Sequence, residues 1–265
     1  MRHYIITMVL AFAAVAACTA GTRTKAAKAK HSAVVMSYNI RHGVGMDEVT
    51  SYERIARVIT GCGADVVAVQ EVDSVTERSS RADVLDEIAR LTGMHHVFAR
   101  AIPYGGGAYG IGILSKEKPL SVKRVPLPGR EEERVLLVVE FGNYYMGCMH
   151  LSLTPADQMA SLPIIRGVAK GLDKPFFLAG DWNVHPDDPL IASISRDVQL
   201  FNDTSLYTFP ADKPDEMLDY ISVWKSTVAG RNVKAEYFKV LPEPVTSDHR
   251  PVVARIEWGG VAKKK

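Results

Sequence analysis

The sequence predicts two mixed β-sheets packed face to face, with helices on their outer surfaces. Three observations lead there. Short apolar runs with the length and β-branched content of strands recur along the whole chain. Amphipathic segments with credible helix caps are interspersed among them. Strands nevertheless outnumber helices, so a uniform strand–helix alternation around one all-parallel sheet fits poorly.

Taken in order, the first strand is Val34 to Tyr38. Thr50-x-x-Glu53 then reads as a capping box that opens a helix to about Cys62, stopped by Gly63. A strand at Val66 to Val69 is followed by a second helix, opened by Ser80-x-x-Asp83 and ended by Gly93. Tyr104-Gly105-Gly106-Gly107-Ala108-Tyr109-Gly110 lacks the Lys-Ser/Thr of a phosphate-cradling P-loop and reads as a flexible hairpin. Strands follow at Gly110 to Leu114, Val135 to Phe141 and Tyr144 to Met149. Thr154, with Pro155 at the first helical position, opens a third helix towards Gly171. The remaining runs are Phe176 to Ala179, Tyr220 to Trp224, Tyr237 to Leu241 and Val252 to Ile256. Trp182 and Trp224 read as packing residues, and Thr208-Phe209-Pro210 reads equally well as a substrate-rim loop or as a plain loop.

No repeat or internal linker divides residues 33 to 258, and 265 residues with 47% hydrophobic and 23% charged side chains fit one folded domain. Disorder, collagen and coiled coil are excluded as the main state. The formal charge of +2 hides an acidic body, because the basic ends carry eight of the 32 Lys and Arg. Residues 31 to 262 hold the other 24 against all 30 acidic groups, a net charge of about −6. A broad nucleic-acid footprint is therefore absent, although a local patch at Arg78, Arg81 and Arg100 remains available.

The N-terminus reads as an export signal. Arg2 precedes an apolar run from Tyr4 to Ala17 that is too short to span a bilayer, and Val15-Ala16-Ala17-Cys18 resembles a bacterial lipobox. The expectation is a signal peptide over residues 1–18, lipidation of Cys18, a tether over 19–32, the domain over 33–258 and a basic tail over 259–265. Ordinary cleaved secretion is the alternative. The protein is then exported and held at a membrane through Cys18, and a monomer is expected. Cys62 and Cys148 read as two buried free thiols. Cys148 lies two residues from His150, but nothing in the sequence activates it as a nucleophile.

Chemistry-bearing residues sit at the strand ends: Asn39 after Tyr38, Gln70-Glu71, His150, Asp181-Trp182-Asn183, Asp219 and Asp248-His249. Each alone has an ordinary turn, cap or pairing explanation. Together they carry more. Ser37-Tyr38-Asn39-Ile40, Gln70-Glu71-Val72, Gly110-Ile111-Gly112-Ile113-Leu114-Ser115, His150-Leu151, Gly180-Asp181-Trp182-Asn183, Leu218-Asp219-Tyr220-Ile221 and Ser247-Asp248-His249-Arg250-Pro251 occur in that order along nearly the whole chain. The set resembles the endonuclease/exonuclease/phosphatase superfamily, metal-dependent hydrolases that include deoxyribonucleases, apurinic endonucleases, bacterial sphingomyelinases and inositol polyphosphate phosphatases.

The resemblance implies an α/β fold of the α+β type, a four-layer αββα sandwich with the site at one rim. It implies Mg²⁺ or Mn²⁺ held by Glu71, with Asn39 beside it and Asp248 as a second contributor, since these are hard oxygen donors. Asp181 would orient or deprotonate the attacking water, and Asn183 would hold the water or the phosphoryl group. His249 would donate to the phosphate with its ring held by Asp219, and His150 would be a second phosphate contact. The roles of Asp181 and His249 are open to exchange. Independently of the resemblance, Arg41 and His42 after the first strand read equally well as phosphate contacts or as solvated strand-exit residues.

Three functions compete. The first is an exported metal-dependent hydrolase of a small, lipid-linked or sugar-linked phosphate ester, as a phosphodiesterase or phosphatase. The second is a nuclease, disfavoured by the acidic body because duplex binding relies on neutralising phosphates. No long apolar or aromatic insertion of the membrane-penetrating kind is present. The third is a non-catalytic surface binding protein, which the completeness of the polar set argues against.

Overall fold

The computed structural model describes residues 30–259. Its first strand, β1 (Lys30–Asn39), is buried from Ala33 onwards on both faces. Double-sided burial is why the run Ala-Val-Val-Met is continuously apolar rather than alternating. Side chains still point to alternate faces. Val35 enters the core between the two sheets, whereas Met36 and Tyr38 enter a core beneath helices α1 (Tyr52–Gly61) and α2 (Val84–Thr92).

One six-stranded mixed sheet contains β1, β2 (Val66–Ser74), β3 (His95–Tyr104), β4 (Gly107–Ser115), β11 (Val233–Val240) and β12 (Val252–Gly259), in the order β11-β12-β1-β2-β4-β3. The other contains β5 (Ser121–Leu127), β6 (Arg134–Glu140), β7 (Tyr145–His150), β8 (Phe176–Asp181), β9 (Val198–Leu200) and β10 (Asp219–Trp224), in the order β5-β6-β7-β8-β10-β9. Val35, Ala68 and Ile113 meet Leu137, Phe177 and Ile221 between the sheets. On the far face of the second sheet, Met149, Phe176 and Leu178 pack with Leu162, Ile165, Leu190 and Ile194 of helices α3 (Pro155–Ala169) and α4 (Pro189–Ile194). The result is the expected four-layer sandwich.

Several local expectations shift. Ser51, not Thr50, caps α1 by accepting from the Arg54 N–H, because Thr50 is occupied in a backbone bridge with Val44. Asp83 caps α2 by accepting from the Asp86 N–H, while Ser80 lies in the preceding turn with a left-handed backbone. β1 begins three residues before position 33, where Lys30–Ser32 pair with Glu257–Gly259 of β12. Cys62 is only half-buried, and Cys148 is buried; both are free. Residues 1–29 and 260–265, which carry the leader, lipobox and tail expectations, lie outside the described residues. Among those described, no helix is long and apolar enough to cross a membrane.

β8 has a strict steric requirement at its end. Gly180 has φ +156°, and a Cβ there would stand 1.9 Å from the Met149 carbonyl oxygen of the neighbouring strand. Gly180→Ala is therefore expected to destabilise the fold by about 3 kcal/mol or more, because strand β7 would have to move. Thermal unfolding checks this; an unchanged midpoint would contradict the described packing.

Candidate active site

The site lies where several strands end on one rim. β1 and β2 are parallel with Asn39 opposite Gln70, and β7 and β8 are parallel with His150 opposite Asp181. β10 runs antiparallel to β8, which sets Asp219 opposite Asp181. Asp248 and His249 lie just before β12. Residues scattered over 211 positions thus meet because parallel strands deliver their C-termini to the same edge.

Local backbone geometry aims them. Glu71 occupies an irregularity in the β2–β4 pairing and has φ +57°, and Asn183, just beyond β8, has φ +51°. Arg41 and His42, in the turn after β1, have φ +43° and +45°. Left-handed backbones at non-glycine residues are costly and concentrate at functional sites. Here they turn side chains away from the sheet and towards the rim.

At the centre is a buried Asp219–His249 pair. The ring Nδ1 lies 2.8 Å from Asp219 Oδ2, with Asp219 only 1% and His249 only 5% exposed. Burial pushes the His249 pKa down, but the charges of Asp219 and Asp181 outweigh it and raise the ring above its ordinary value. The ring is therefore held as imidazolium. Its Nε2 faces Asp181 Oδ2 at 3.6 Å, and the Phe209 ring packs on it at 4.8 Å between centroids.

Asp181 is a hub. It accepts from Asn39 Nδ2 at 3.1 Å and from the Asn183 N–H at 3.0 Å, and His150 Nε2 approaches it at 3.6 Å. Burial raises its pKa well above the ordinary carboxylate range, which gives it the basicity of a proton acceptor. His150 is driven the other way: burial, helped by the charges of Arg134 and His249, holds it neutral.

Asn39 joins the two halves of the site, since its Nδ2 also donates to Glu71 Oε1 at 3.0 Å while its Oδ1 accepts from the Arg41 N–H at 3.1 Å. Burial raises the Glu71 pKa, and the neighbouring Asp248 charge raises it further. Asp248 Oδ1 lies 3.2 Å from Ser247 Oγ, and Arg41 Nε lies 3.9 Å from Oδ2. Arg41 is otherwise engaged with Glu48 and the Gly45 carbonyl. Two sets of metal-ligand type therefore adjoin: Glu71 with Asp248, and Asp181, Asp219 and His249, whose ligand atoms lie within 4.8 Å of one another.

The structure also adds supporting residues. Gln158 of α3 donates to the carbonyls of Ser152 and Asn183, fixing the turn that carries Asn183. Asn183 Nδ2 itself donates to the Leu151 carbonyl. Ser247 Oγ donates to the Asn39 carbonyl and ties the Asp248–His249 segment to β1. Only Ser247 and Phe209 stand in segments the sequence singles out; a buried helical Gln carries no such signal. Cys148 is excluded as a nucleophile: burial pushes its thiol up to about 12, and it meets Gln70 between the sheets.

Two six-stranded sheets with helices outside and a buried carboxylate–histidine cluster at the strand ends define an α/β sandwich with a polar site on one rim. The chain belongs to the endonuclease/exonuclease/phosphatase family, whose profile matches residues 36–249. Enzymes of that family are in general hydrolytic and divalent-metal dependent. No curated protein matches the sequence significantly. Among solved structures, an endonuclease/exonuclease/phosphatase from Beutenbergia cavernae is similar with TM-score 0.68 at 22% identity, covering 88% of this chain and 73% of that one. A protein of the same description from Bacteroides vulgatus gives 0.69 at 17%, covering 85% and 98%. A mannosyl-6-phosphatase from Bacteroides thetaiotaomicron gives 0.67 at 16%, covering 84% and 99%. At these identities the likeness is one of fold.

Proposed function

We propose that this protein is an exported, divalent-metal-dependent phosphoesterase that hydrolyses a small phosphate ester by attack of water on phosphorus. The observation that carries the reading is the buried Asp219–His249 pair facing Asp181 across 3.6 Å. It offers a proton donor and a proton acceptor side by side, as ester hydrolysis at an anionic centre requires.

The residues fit a divalent ion. Glu71 is a largely buried carboxylate with a second carboxylate, Asp248, close enough to raise its pKa. Among the described residues its one hydrogen bond comes from the neutral amide of Asn39. Two carboxylates this poorly compensated are suited to Mg²⁺ or Mn²⁺. Glu71 and Asp248 would hold the ion with Asn39 beside them, because His249 Nδ1 and Asp219 are already committed to each other. When bound, the ion supplies positive charge to the phosphoryl oxygens. Asp181 takes the proton of the attacking water, and the Asn183 backbone N–H fixes its other oxygen. His249 donates to a phosphoryl oxygen through Nε2, with Asp219 keeping the ring charged and oriented. His150 is a second, neutral donor, Asn183 contacts the water or phosphoryl group, and Arg41 stands at the rim.

A small substrate is favoured over nucleic acid. Arg78 is bound to Asp73 by two hydrogen bonds of 2.7 and 2.8 Å, and Arg81 pairs with Glu77 at 3.1 Å, so two of the three cations of the candidate patch are neutralised locally. The discriminating experiment assays the soluble form lacking residues 1–18 with and without Mg²⁺. Plasmid DNA, bis-p-nitrophenyl phosphate, p-nitrophenyl phosphate, sphingomyelin and phosphoinositides form the panel. Metal-dependent release from the small esters, with DNA left intact, is the expected result. Preferential cleavage of DNA would replace this reading with the nuclease one, and no turnover of any ester would favour a binding protein.

Export through Cys18 is part of the same proposal and rests on the apolar run ending at Val15-Ala16-Ala17-Cys18. Radiolabelled fatty acid should enter the wild type and not Cys18→Ala. Equal labelling of the two would remove the lipid anchor.

A further inference from the structure

The end of the sandwich opposite the site, its base, has a charge of its own. β1, β2, β7 and β8 all end at the rim, and the pairing of the other strands with them fixes the end at which each connection lies. Segments 40–51, 75–83, 105–106, 128–133, 151–154, 182–188, 201–218 and 241–251 lie at the rim. Segments 62–65, 93–94, 116–120, 141–144, 170–175, 195–197 and 225–232 lie at the base. The rim segments carry 15 acidic against 6 basic residues, whereas the base segments carry 4 acidic against 7 basic ones. The acidic body is therefore an acidic rim on a base of opposite sign.

Both ends of the chain add to that base. Lys30 pairs with Gly259 across β1 and β12, at the end of β1 away from Asn39. Residues 19–29 and 260–265 are joined to the domain there, and they hold Arg23, Lys25, Lys28, Lys263, Lys264 and Lys265 with no acidic residue among them. Within the domain, Lys116 pairs with Asp65, Lys174 pairs with Glu140, and Lys30 and Lys234 share Glu257. Among the described residues Lys118, Lys170, Lys225 and Arg196 of the base have no acidic partner within ion-pair distance. Leu120, two residues from Lys118, is 63% exposed.

Distance keeps the two ends electrically separate. β1 has 10 residues, which at about 3.3 Å each puts roughly 30 Å between base and rim, several times the Debye length of about 8 Å at physiological salt. A surface that meets the base responds to the base charges alone. Clustered lysines beside an exposed apolar side chain suit an anionic bilayer, where the charges meet head groups and the leucine meets the acyl boundary. Nucleic acid is the other polyanion such a cluster could hold, but at the base it would lie roughly 30 Å from the site that would have to cleave it. The rim exposes Leu153, Leu206 and Tyr207, yet its carboxylates present like charge to an anionic surface.

We propose that the base is a docking surface for anionic phospholipid, which stands the domain on a bilayer with the candidate active site turned away from it. The contact is electrostatic and does not need lipidated Cys18, although an anchor there would act at the same end of the domain. It goes beyond the phosphoesterase reading and does not depend on it. A substrate then reaches the site from the aqueous side.

The test uses no catalytic readout. The chain from Thr19 onwards, which keeps every described residue and lacks Cys18, is sedimented with vesicles of phosphatidylcholine alone and of phosphatidylcholine mixed with phosphatidylglycerol, at low and high NaCl. Binding to the mixed vesicles only, lost at high salt, is expected. Lys263→Gln, Lys264→Gln and Lys265→Gln combined should weaken it on the order of 10²-fold, since each lysine near an anionic surface contributes roughly fivefold. Lys213→Gln, at the rim, should leave it unchanged. Orientation is read in a Cys62→Ser background, where Cys148 is buried, with bimane attached at Asn143→Cys on the base or Ser205→Cys on the rim, both exposed and uncharged positions. Nitroxide-labelled head groups should quench the label at 143 and spare the one at 205. Equal binding to both vesicle types, no binding to either, or undiminished binding by the triple variant overturns the docking surface. Quenching at 205, or at neither position, overturns the orientation. Retention by duplex DNA at a salt concentration that releases the vesicles makes nucleic acid the partner and overturns the lipid assignment.

Discussion

Asp219→Asn is expected to lower phosphoester turnover by roughly 10² or more, the scale of one positioned proton-transfer group. The substitution keeps an acceptor 2.8 Å from His249 Nδ1 but removes the charge that holds the ring as imidazolium. Without that charge the ring loses its proton at lower pH, so the alkaline limb of the pH–rate profile moves downwards. His249→Ala should cost at least as much. The double variant should be little worse than the worse single one, because groups that act as a unit are not additive. Fully multiplicative losses with an unmoved alkaline limb would show that the two act separately. The same pair links stability to pH. The folded ring has a pKa above its unfolded value of about 6.5, so its contribution is complete below that pH and fades as pH rises through the folded value. Asp219→Asn should therefore flatten the loss of stability on the alkaline side.

Glu71→Gln is the second large effect. It preserves shape and the contact with Asn39 while removing the negative charge that a divalent ion needs. Activation by Mg²⁺ or Mn²⁺ should shift to higher concentration, with a loss of roughly 10²-fold or more at limiting metal, at or above the top of the range for losing a residue that only supports a metal ligand. Folding responds differently. Burial raises the Glu71 pKa, so in metal-free protein the ionised side chain opposes folding above its unfolded pKa. Melting in chelator at neutral pH should therefore be unchanged or higher in Glu71→Gln. A large drop in that midpoint would make Glu71 a structural residue.

The sandwich and much of its site were legible because central strands buried on both faces write continuous apolar runs, and the site residues close those runs. Asn39, His150 and Asp181 are each the last residue of a buried strand, and Asp219 is the first of one. β3, β5 and β9 were not anticipated, and all three are sheet edges. An edge strand need bury only one face, so β5 reads Ser-Val-Lys-Arg-Val-Pro-Leu and offers no apolar run. The helix starts moved by one to three residues because Thr50 and Ser80 serve the preceding turns instead of capping. The positive φ of Glu71 is hidden in sequence, since no glycine marks the β2 irregularity. Gln158 is equally invisible: its acceptors lie in the loops after β7 and β8, and nothing in its own helix signals it.

The most direct test of the account is the metal dependence of wild-type hydrolysis. Activity on the ester preferred in the panel is measured before EDTA treatment, after it, and after Mg²⁺ or Mn²⁺ is restored, with Glu71→Gln carried through the same steps. The account predicts that chelation abolishes turnover, that restored metal recovers it in the wild type, and that Glu71→Gln recovers only at much higher metal concentration. Wild-type activity unchanged by EDTA would contradict it.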